Sequence, residues 1–488
     1  MKNESIQIAY FSAEIGLSSS LPTYSGGLGV LAGDHIKASA DAKLPMLGIS
    51  LLYKEGYFKQ SIDQDGNQKE AYPRFDPSKD LTPLPKKFSI RVMNRDIWIQ
   101  AYEYLHKSEC GHIVPIYFLD TDIDENNNED RVITLRLYSG DKDHRILQES
   151  ILGFGGICFL ETLGYTGINK YHMNEGHSSF LTLGLLDKFD GDEDKVRSLC
   201  HFTTHTPVAA GHDNFSIDRC HNLLGSLIPN NLKLPSISNN RLHMTELGLY
   251  YSKTANGVSK LHGEVAQNQF SDFKINYITN GVYHPHWIGD SFSNLFDNKL
   301  NNWKRDPSLL QNLNCITDAE MQQAHFSQKQ LLIEHANIYA KNKLSNDILT
   351  IGFARRAAEY KRASLVFTDI DRLVEIGGGK IQLIFSGKAH PKDVRGKEII
   401  REIIQSANKL MDSINIVFLE NYNMWLGRLI TSGVDLWLNT PIRPNEASGT
   451  SGMKATLNGV PNFSILDGWW AEGCIHGENG WGIGSADF

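Results

Sequence analysis

The nine residues Glu446-Ala447-Ser448-Gly449-Thr450-Ser451-Gly452-Met453-Lys454 place a carboxylate, three hydroxyls, two glycines and an amine on one short stretch of chain. Small side chains leave successive backbone N–H groups uncovered, and Ala455-Thr456-Leu457 can carry the chain on as a helix whose start favours an anion. Lys454 follows Met453 rather than a glycine, so the spacing is not that of a Walker A loop. By itself the stretch fits two readings: an anion cradle with a positioned lysine, or an ordinary helix start with a solvated one. Arg355, Arg356 and Lys361 form a second group, with guanidinium forks that match phosphate oxygens. Such a cluster also describes a solvated basic face.

In the first half, Tyr24-Ser25-Gly26-Gly27-Leu28-Gly29-Val30 is a glycine-rich turn ahead of an expected helix. His177, within Asn174-Glu175-Gly176-His177, and His205, within Thr203-Thr204-His205-Thr206-Pro207, lie near expected strand ends. A single histidine so placed is as a rule a hydrogen-bonded core residue; three polar strand-end loops together suit the lining of a cleft. No Gly-x-Ser-x-Gly elbow, His-Glu-x-x-His or metal-ligand spacing is present. No carboxylate pair is singled out by its setting. What remains is an electrostatic site for phosphates beside a polar cleft of sugar size.

The elements that must position these groups follow from apolar runs. Strands are expected over Ile8 to Phe11, Leu47 to Tyr53, Ile97 to Tyr104, Ile113 to Leu119 and His201 to Thr204. A helix is expected over Arg145 to Leu163, where Gly153, Gly155 and Gly156 allow close approach by a neighbour. In the second half the runs Ile348 to Phe353, Ile381 to Phe385, Ile414 to Leu419 and Val434 to Leu438 have the rhythm of a doubly wound parallel sheet. Ligands of such sheets sit beyond the carboxyl ends of the strands, where the Arg355 cluster and the Glu446 to Lys454 loop would converge. Two anion-binding elements at one sheet edge imply more than one phosphate. Ile278-Thr279-Asn280-Gly281-Val282, followed by His284-Pro285-His286-Trp287, has the punctuation of a domain crossing.

Bulk properties agree with a large globular protein. At 488 residues more than one domain is expected. Hydrophobic residues at 41% and charged residues at 21% show no sign of disorder. A net charge of -8 argues against a nucleic-acid or anionic-membrane surface. Cys110, Cys158, Cys200, Cys220, Cys315 and Cys474 are widely spaced with no C-x-x-C pair, which suits reduced thiols in a cytoplasm. The N-terminus has no apolar signal core and no later run reaches membrane-spanning length. A soluble cytoplasmic protein is expected.

At these motifs the chain resembles the glycogen and maltodextrin phosphorylase family in its short bacterial and archaeal form. The likeness runs from Ile8 to about Gly484, through Tyr24 to His35, His172 to His177, Phe202 to Pro207, Ile278 to Gly281, Glu359 to Arg362 and Glu446 to Lys454. It implies an α/β fold of two facing Rossmann-like domains in the GT-B arrangement, with the site in the cleft between them. The N-terminal, glucan-binding domain would span 1–280, and the pyridoxal-phosphate-binding domain 281–488. It further implies that Lys454 forms the Schiff base with pyridoxal 5′-phosphate.

By the same resemblance, Arg355, Thr450 and Ser451 surround the cofactor phosphate, with Tyr422 and Trp287 as neighbours. Arg356 and Lys361 are the substrate-phosphate cations, and Gly27 is an amide donor at a helix start. Glu446, Ser448, Gly449, Asn280 and His205 hold the sugar ring. Leu28, Asn174 and His177 belong to the same wall, and Tyr138 to Arg145 gates the substrate. Orthophosphate would protonate the glycosidic oxygen, the cofactor phosphate would relay the proton, and an oxocarbenium-like sugar would collapse onto phosphate with retained configuration. A backbone carbonyl near His205 would favour positive charge on the ring.

The implied partners are an α-glucan or maltodextrin and orthophosphate, with no metal, nucleic acid or membrane, and a homo-oligomer left open. The large regulatory forms have an N-terminal extension and an interface helix that are not matched, so effector control is not expected. Relatives continue past the region of Phe488 through helices that cross back to the first domain, so looser domain coupling is expected. The rival readings are a retaining nucleotide-sugar glycosyltransferase, against which Lys454 speaks, and an inactive glucan-binding protein.

Overall fold

In the first half, near-continuous apolar strands pair in parallel, as expected of strands covered on both faces. The computed structural model describes residues 3–208, 211–229 and 237–485. The chain divides into two units, Met1–Tyr57 with Tyr72–Thr279, and Phe58–Ala71 with Asn280–Phe488. The main sheet of the first unit contains Ile8–Ser12 (β1), Met46–Leu51 (β2), Thr82–Val92 (β3), Arg95–Lys107 (β4), Ile113–Asp120 (β5), Lys170–Asn174 (β6), Cys200–Thr203 (β7), Thr254–Gly257 (β8) and Ile275–Tyr277 (β9). Their order across the sheet is β9-β8-β7-β6-β1-β2-β5-β4-β3. All pairings are parallel except those of β3 with β4 and β4 with β5.

Alternate residues of one strand serve opposite faces. Phe11, Ile49 and Leu119 enter one core cluster, and Tyr10, Ile116 and Phe118 enter the other. The single helix read over Arg145 to Leu163 is in fact three pieces: an α-helix Lys142–Ser150, a π-helical turn Ile151–Gly155 and an α-helix Gly156–Thr162. Its glycines explain the break in regularity. A Cβ on Gly153 would lie 2.6 Å from the Leu181 nitrogen, and one on Gly156 would lie 2.4 Å from the Phe11 ring. The wide π turn fits where bare backbone meets its neighbours.

The second unit has six parallel strands: Leu349–Ala354 (β10), Ile381–Ser386 (β11), Asn415–Leu419 (β12), Leu436–Asn439 (β13), Asn462–Ile465 (β14) and Gly480–Ile483 (β15). They lie in the order β12-β11-β10-β13-β14-β15. This is the doubly wound order, with its reversal between β10 and β13. In the first sheet the parallel order reverses in the same way between β1 and β6. The sequence reading has no strand at β14 or β15, since Asn-Phe-Ser-Ile and Gly-Trp-Gly-Ile are short and, in β15, glycine-rich.

The antiparallel hairpin Lys59–Ile62 with Gln68–Ala71 lies early in the chain but belongs to the second unit. Its polar sequence carries no apolar pattern that could assign it. Among the described residues no helix is long and apolar enough to cross a membrane, and no group of three or more histidine, cysteine or acidic side chains could hold a metal.

The helix Gly27–Asp41 (α1) lies so close to the preceding loop that a Cβ on Gly33 would fall 1.8 Å from the Gly16 carbonyl oxygen. Backbone against backbone cannot yield cheaply. Gly33→Ala is expected to destabilise the first unit by roughly 1–3 kcal/mol, read as a lowered urea midpoint.

Candidate active site

The reversal between β10 and β13 brings the ends of those strands together, and the charged groups collect there. Arg355 follows β10 directly. Its Nη2 donates to Glu446 Oε2 at 2.5 Å, and Lys361 Nζ donates to the same oxygen at 2.5 Å. All three residues are buried. Burial alone would raise the Glu446 carboxyl, but Arg355 and Lys361 overcome that and hold it at about 2. The Glu446 backbone N–H donates to Asp467 Oδ2 at 2.9 Å, and Gly468 N–H donates to Asp467 Oδ1 at 2.8 Å. Burial pushes Asp467 up to about 6. Two donors in this region, Arg355 Nη1 and Ser448 Oγ, are buried without a hydrogen-bond partner among the described residues.

Lys454 lies in the helix Thr450–Thr456, whose N-cap Gly449 has φ 83°. A left-handed residue here favours glycine. The Lys454 ammonium sits 3.6 Å from the centroid of the buried Trp287 ring, a cation–π contact. Asn458, also buried, holds the two together: its Nδ2 donates to the Trp287 carbonyl at 2.9 Å and to the Lys454 carbonyl at 2.8 Å, while its Oδ1 accepts from Gly289 N–H at 2.7 Å. Ser451 Oγ accepts from Trp437 Nε1 at 3.3 Å. Tyr422 packs its hydroxyl over Gly427, where a Cβ would fall 2.8 Å from it.

In the first unit the reversal between β1 and β6 gathers a different set. Asn174 Nδ2 donates to Ser12 Oγ at 3.0 Å, so its Oδ1 faces His205 Nε2, 2.6 Å away, and that nitrogen carries the proton. His205 N–H donates to Glu175 Oε2 at 2.7 Å. Burial pushes the His205 imidazole down to about 4, so it is neutral at neutral pH. His177 Nε2 lies 3.4 Å from Asp213 Oδ2, which also pairs with Arg145 at 2.5 Å. Arg145 reaches the buried Glu149 at 3.1 Å. Burial and the nearby Asp213 hold the Glu149 carboxyl well above the ordinary range.

The structure brings together Arg355, Lys361 and Glu446, and separately Lys454 and Trp287. Arg356 is exposed next to the buried Arg355. Gly449, Thr450 and Ser451 form the helix start. Asn280, half-buried, is the first residue of the contiguous part of the second unit. In the first unit Asn174 and His205 touch directly. Gly27 and Leu28 open α1, but the carboxylate at that helix start is the chain's own Glu14. It accepts from Ser25 N–H at 2.5 Å, Gly26 N–H at 3.2 Å and Tyr138 hydroxyl at 2.7 Å. The sequence reading did not name Glu14, although a glutamate within Ser12-Ala13-Glu14-Ile15-Gly16, just past an apolar strand, is a usable signal. Gly29 makes room for it, since a Cβ there would lie 2.6 Å from Glu14 Oε2. Asn458 and Asp467 were also missed, because their partners are distant in sequence or on the backbone. The segment Tyr138 to Arg145 is tied at both ends, by Tyr138 to Glu14 and by Arg145 to Asp213 and Glu149.

Fold and site together define a class: an α/β protein of two doubly wound units, one of which buries a paired cation–carboxylate group and a lysine at its strand ends. Residues 226–474 match the model of the Phosphorylase family, carbohydrate phosphorylase. The chain is 38% identical over 527 residues to a maltodextrin phosphorylase of Thermococcus litoralis, covering 98% of this chain and 62% of that one. It is 36% identical over 550 residues to a glycogen phosphorylase of Mycobacterium tuberculosis, covering 98% and 62%. To a glycogen phosphorylase of Aquifex aeolicus it is 36% identical over 541 residues, covering 98% and 76%. The chain belongs to the carbohydrate phosphorylase family. It spans about 62% of the length of the first two of these relatives.

Replacing Glu446 by glutamine leaves two buried cations without their counter-charge. Glu446→Gln is expected to cost roughly 3 kcal/mol at pH 7. The folded carboxyl is held at about 2, below the ordinary glutamate value of about 4.3, so its contribution is complete above that value and is lost as pH falls toward 2. Urea unfolding of both proteins from pH 7 downward should show the difference constant to about pH 5 and shrinking below it.

Proposed function

We propose that this chain catalyses the phosphorolysis of α-1,4-glucans such as glycogen or maltodextrin, releasing glucose 1-phosphate from non-reducing ends with retained configuration. The observation that carries this reading is the buried Arg355–Glu446–Lys361 group at the sheet reversal, in a unit that also buries Lys454 against Trp287, within a member of the phosphorylase family.

The residues fit pyridoxal 5′-phosphate. Lys454 supplies an amine for the aldehyde, Thr450, Ser451 and Arg355 supply donors for the phosphate, and the unpartnered Arg355 Nη1 and Ser448 Oγ are donors left for ligands. Tyr422 and Trp287 are its neighbours in this reading. When bound, the group supplies a phosphate that exchanges a proton with the attacking phosphate. The chain's own residues do the positioning. Arg356 and Lys361 hold orthophosphate, with Gly27 N–H as a further donor, and offset the repulsion between two anions. An incoming phosphate draws Lys361 from Glu446, whose carboxylate then accepts from a glucosyl hydroxyl alongside Ser448, Gly449 and Asn280. Neutral His205, oriented by Asn174, donates to the sugar without adding charge, and Leu28 and His177 complete that wall.

The purified chain, loaded with pyridoxal 5′-phosphate and given orthophosphate and maltodextrins of graded length, is expected to release glucose 1-phosphate; no release from any of them counts against the reading. Borohydride reduction should leave the cofactor mass on the Lys454 peptide, and Lys454→Ala should abolish it. Mass on another lysine refutes the assignment. Because Arg356 is exposed, Arg356→Ala should leave the unfolding free energy from urea titration within about 0.5 kcal/mol of wild type yet lower phosphorolysis roughly a hundredfold.

A further inference from the structure

The hairpin Lys59–Ile62 with Gln68–Ala71 is joined to the second unit by two buried glutamines. Gln60 Nε2 donates to the Gly387 carbonyl at 2.8 Å and to Gln68 Oε1 at 2.8 Å. Gln68 Nε2 donates to the Ala389 carbonyl at 3.0 Å and to Glu70 Oε1 at 2.7 Å, and its Oε1 also accepts from Ala389 N–H at 2.9 Å. Every donor and acceptor position of the Gln68 amide is used. On the other side, Gln60 Oε1 accepts from Asn421 N–H at 2.8 Å and Gln60 N–H donates to Asn421 Oδ1 at 3.2 Å. Lys388 Nζ donates to the Phe58 carbonyl at 2.7 Å, and Ile62 N–H donates to Glu420 at 2.9 Å. A saturated buried network permits one geometry and makes slippage expensive.

The two loops it grips are those that follow β11 and β12, and each leads to a residue of the candidate site. Gly387 is pressed on Arg355: a Cβ there would lie 1.9 Å from the Arg355 carbonyl oxygen. Arg355 N–H donates to the Ser386 carbonyl at 3.1 Å, and Ala357 N–H to the Lys388 carbonyl at 3.0 Å. The backbone that carries Arg355 and Arg356 therefore rests on the gripped loop. On the other side, Asn421 has φ 59° and immediately precedes Tyr422. Neither loop has regular structure of its own to hold these angles.

We propose that Gln60 and Gln68 are positioning residues for the anion site: the hairpin sets Arg355 and Arg356 through Gly387–Ala389, and sets Tyr422 through Asn421. This rests on the reading of that site given above. Gln68→Ala removes the bonds to Ala389 directly and reaches Asn421 only through Gln60. Asn421→Gly touches the route through Asn421, removing one acceptor while glycine retains the positive φ.

The test measures binding of inorganic phosphate and, separately, of pyridoxal 5′-phosphate to the full chain, with circular dichroism as a folding control. Gln68→Ala is expected to weaken inorganic phosphate about tenfold, the loss of one buried hydrogen-bonded support. Because Arg355 rests on the same loop, Gln68→Ala should weaken the cofactor too, whereas Asn421→Gly should weaken the cofactor alone and alter its bound fluorescence while leaving phosphate nearly unchanged. In turnover, Gln68→Ala should raise KM for orthophosphate and leave KM for maltodextrin in place, a split that general loosening would not produce. Folded variants that bind both anions as wild type does overturn the inference while leaving the site assignment intact. A wild-type chain that takes no cofactor on Lys454, but whose phosphate binding still drops in Gln68→Ala, overturns the cofactor assignment and supports the hairpin's role.

Discussion

Glu446 is buried and ionised because Arg355 and Lys361 close on one of its oxygens at 2.5 Å, and much of the second unit is arranged so that these three can meet. An isolated carboxylate in that position would take up a proton, and isolated cations would be costly to bury. Together they remain charged in a place where water is scarce. In the proposed function that charge balance is also what would couple the site to a ligand. A second anion arriving at the cations competes with Glu446, and a group that relieves Glu446 of a cation makes it a stronger acceptor for a hydroxyl.

The first unit uses the opposite strategy at its own sheet reversal. Burial keeps His205 neutral there, and the Asn174 amide rather than a charge aims it. Glu14 fills the start of α1, so the glycine-rich turn that looks like a pure anion cradle already carries a carboxylate of its own. The charge nearest that helix start is therefore negative.

The hairpin 58–71 gives the second unit a support that its contiguous sequence lacks. Strand-end loops have few apolar contacts to hold them, and loops built for binding are usually the less stable parts of a fold. Here two buried glutamines add directed hydrogen bonds, which specify angle as well as position, to the packing of Ile62 against Ala357, Ala389 and Ile400. The chain accordingly runs into the second unit, returns to finish the first, and only then completes the second.

The sequence by itself determined the most apolar strands, such as Ile8–Ser12, Met46–Leu51, Ile113–Asp120 and Ile381–Ser386, because burial in a sheet leaves a local signature, whereas Lys170–Asn174, Thr254–Gly257 and Ile275–Tyr277 are too short or too polar to carry it. It also determined the charged and glycine-rich segments at the strand ends, since Arg355, Lys361, Glu446 and Lys454 stand out by type and spacing. What only the tertiary structure decided is which of these groups touch: that Glu446 takes both cations, that Arg355 is buried while Arg356 is exposed, that Glu14 accepts from the turn ahead of α1, and that Asn458 holds Trp287 beneath Lys454. The same is true of the polar hairpin, whose strands carry no hydrophobic pattern. Local propensity depends on neighbours along the chain, whereas hydrogen bonds and ion pairs depend on distances that only the folded sheet order supplies.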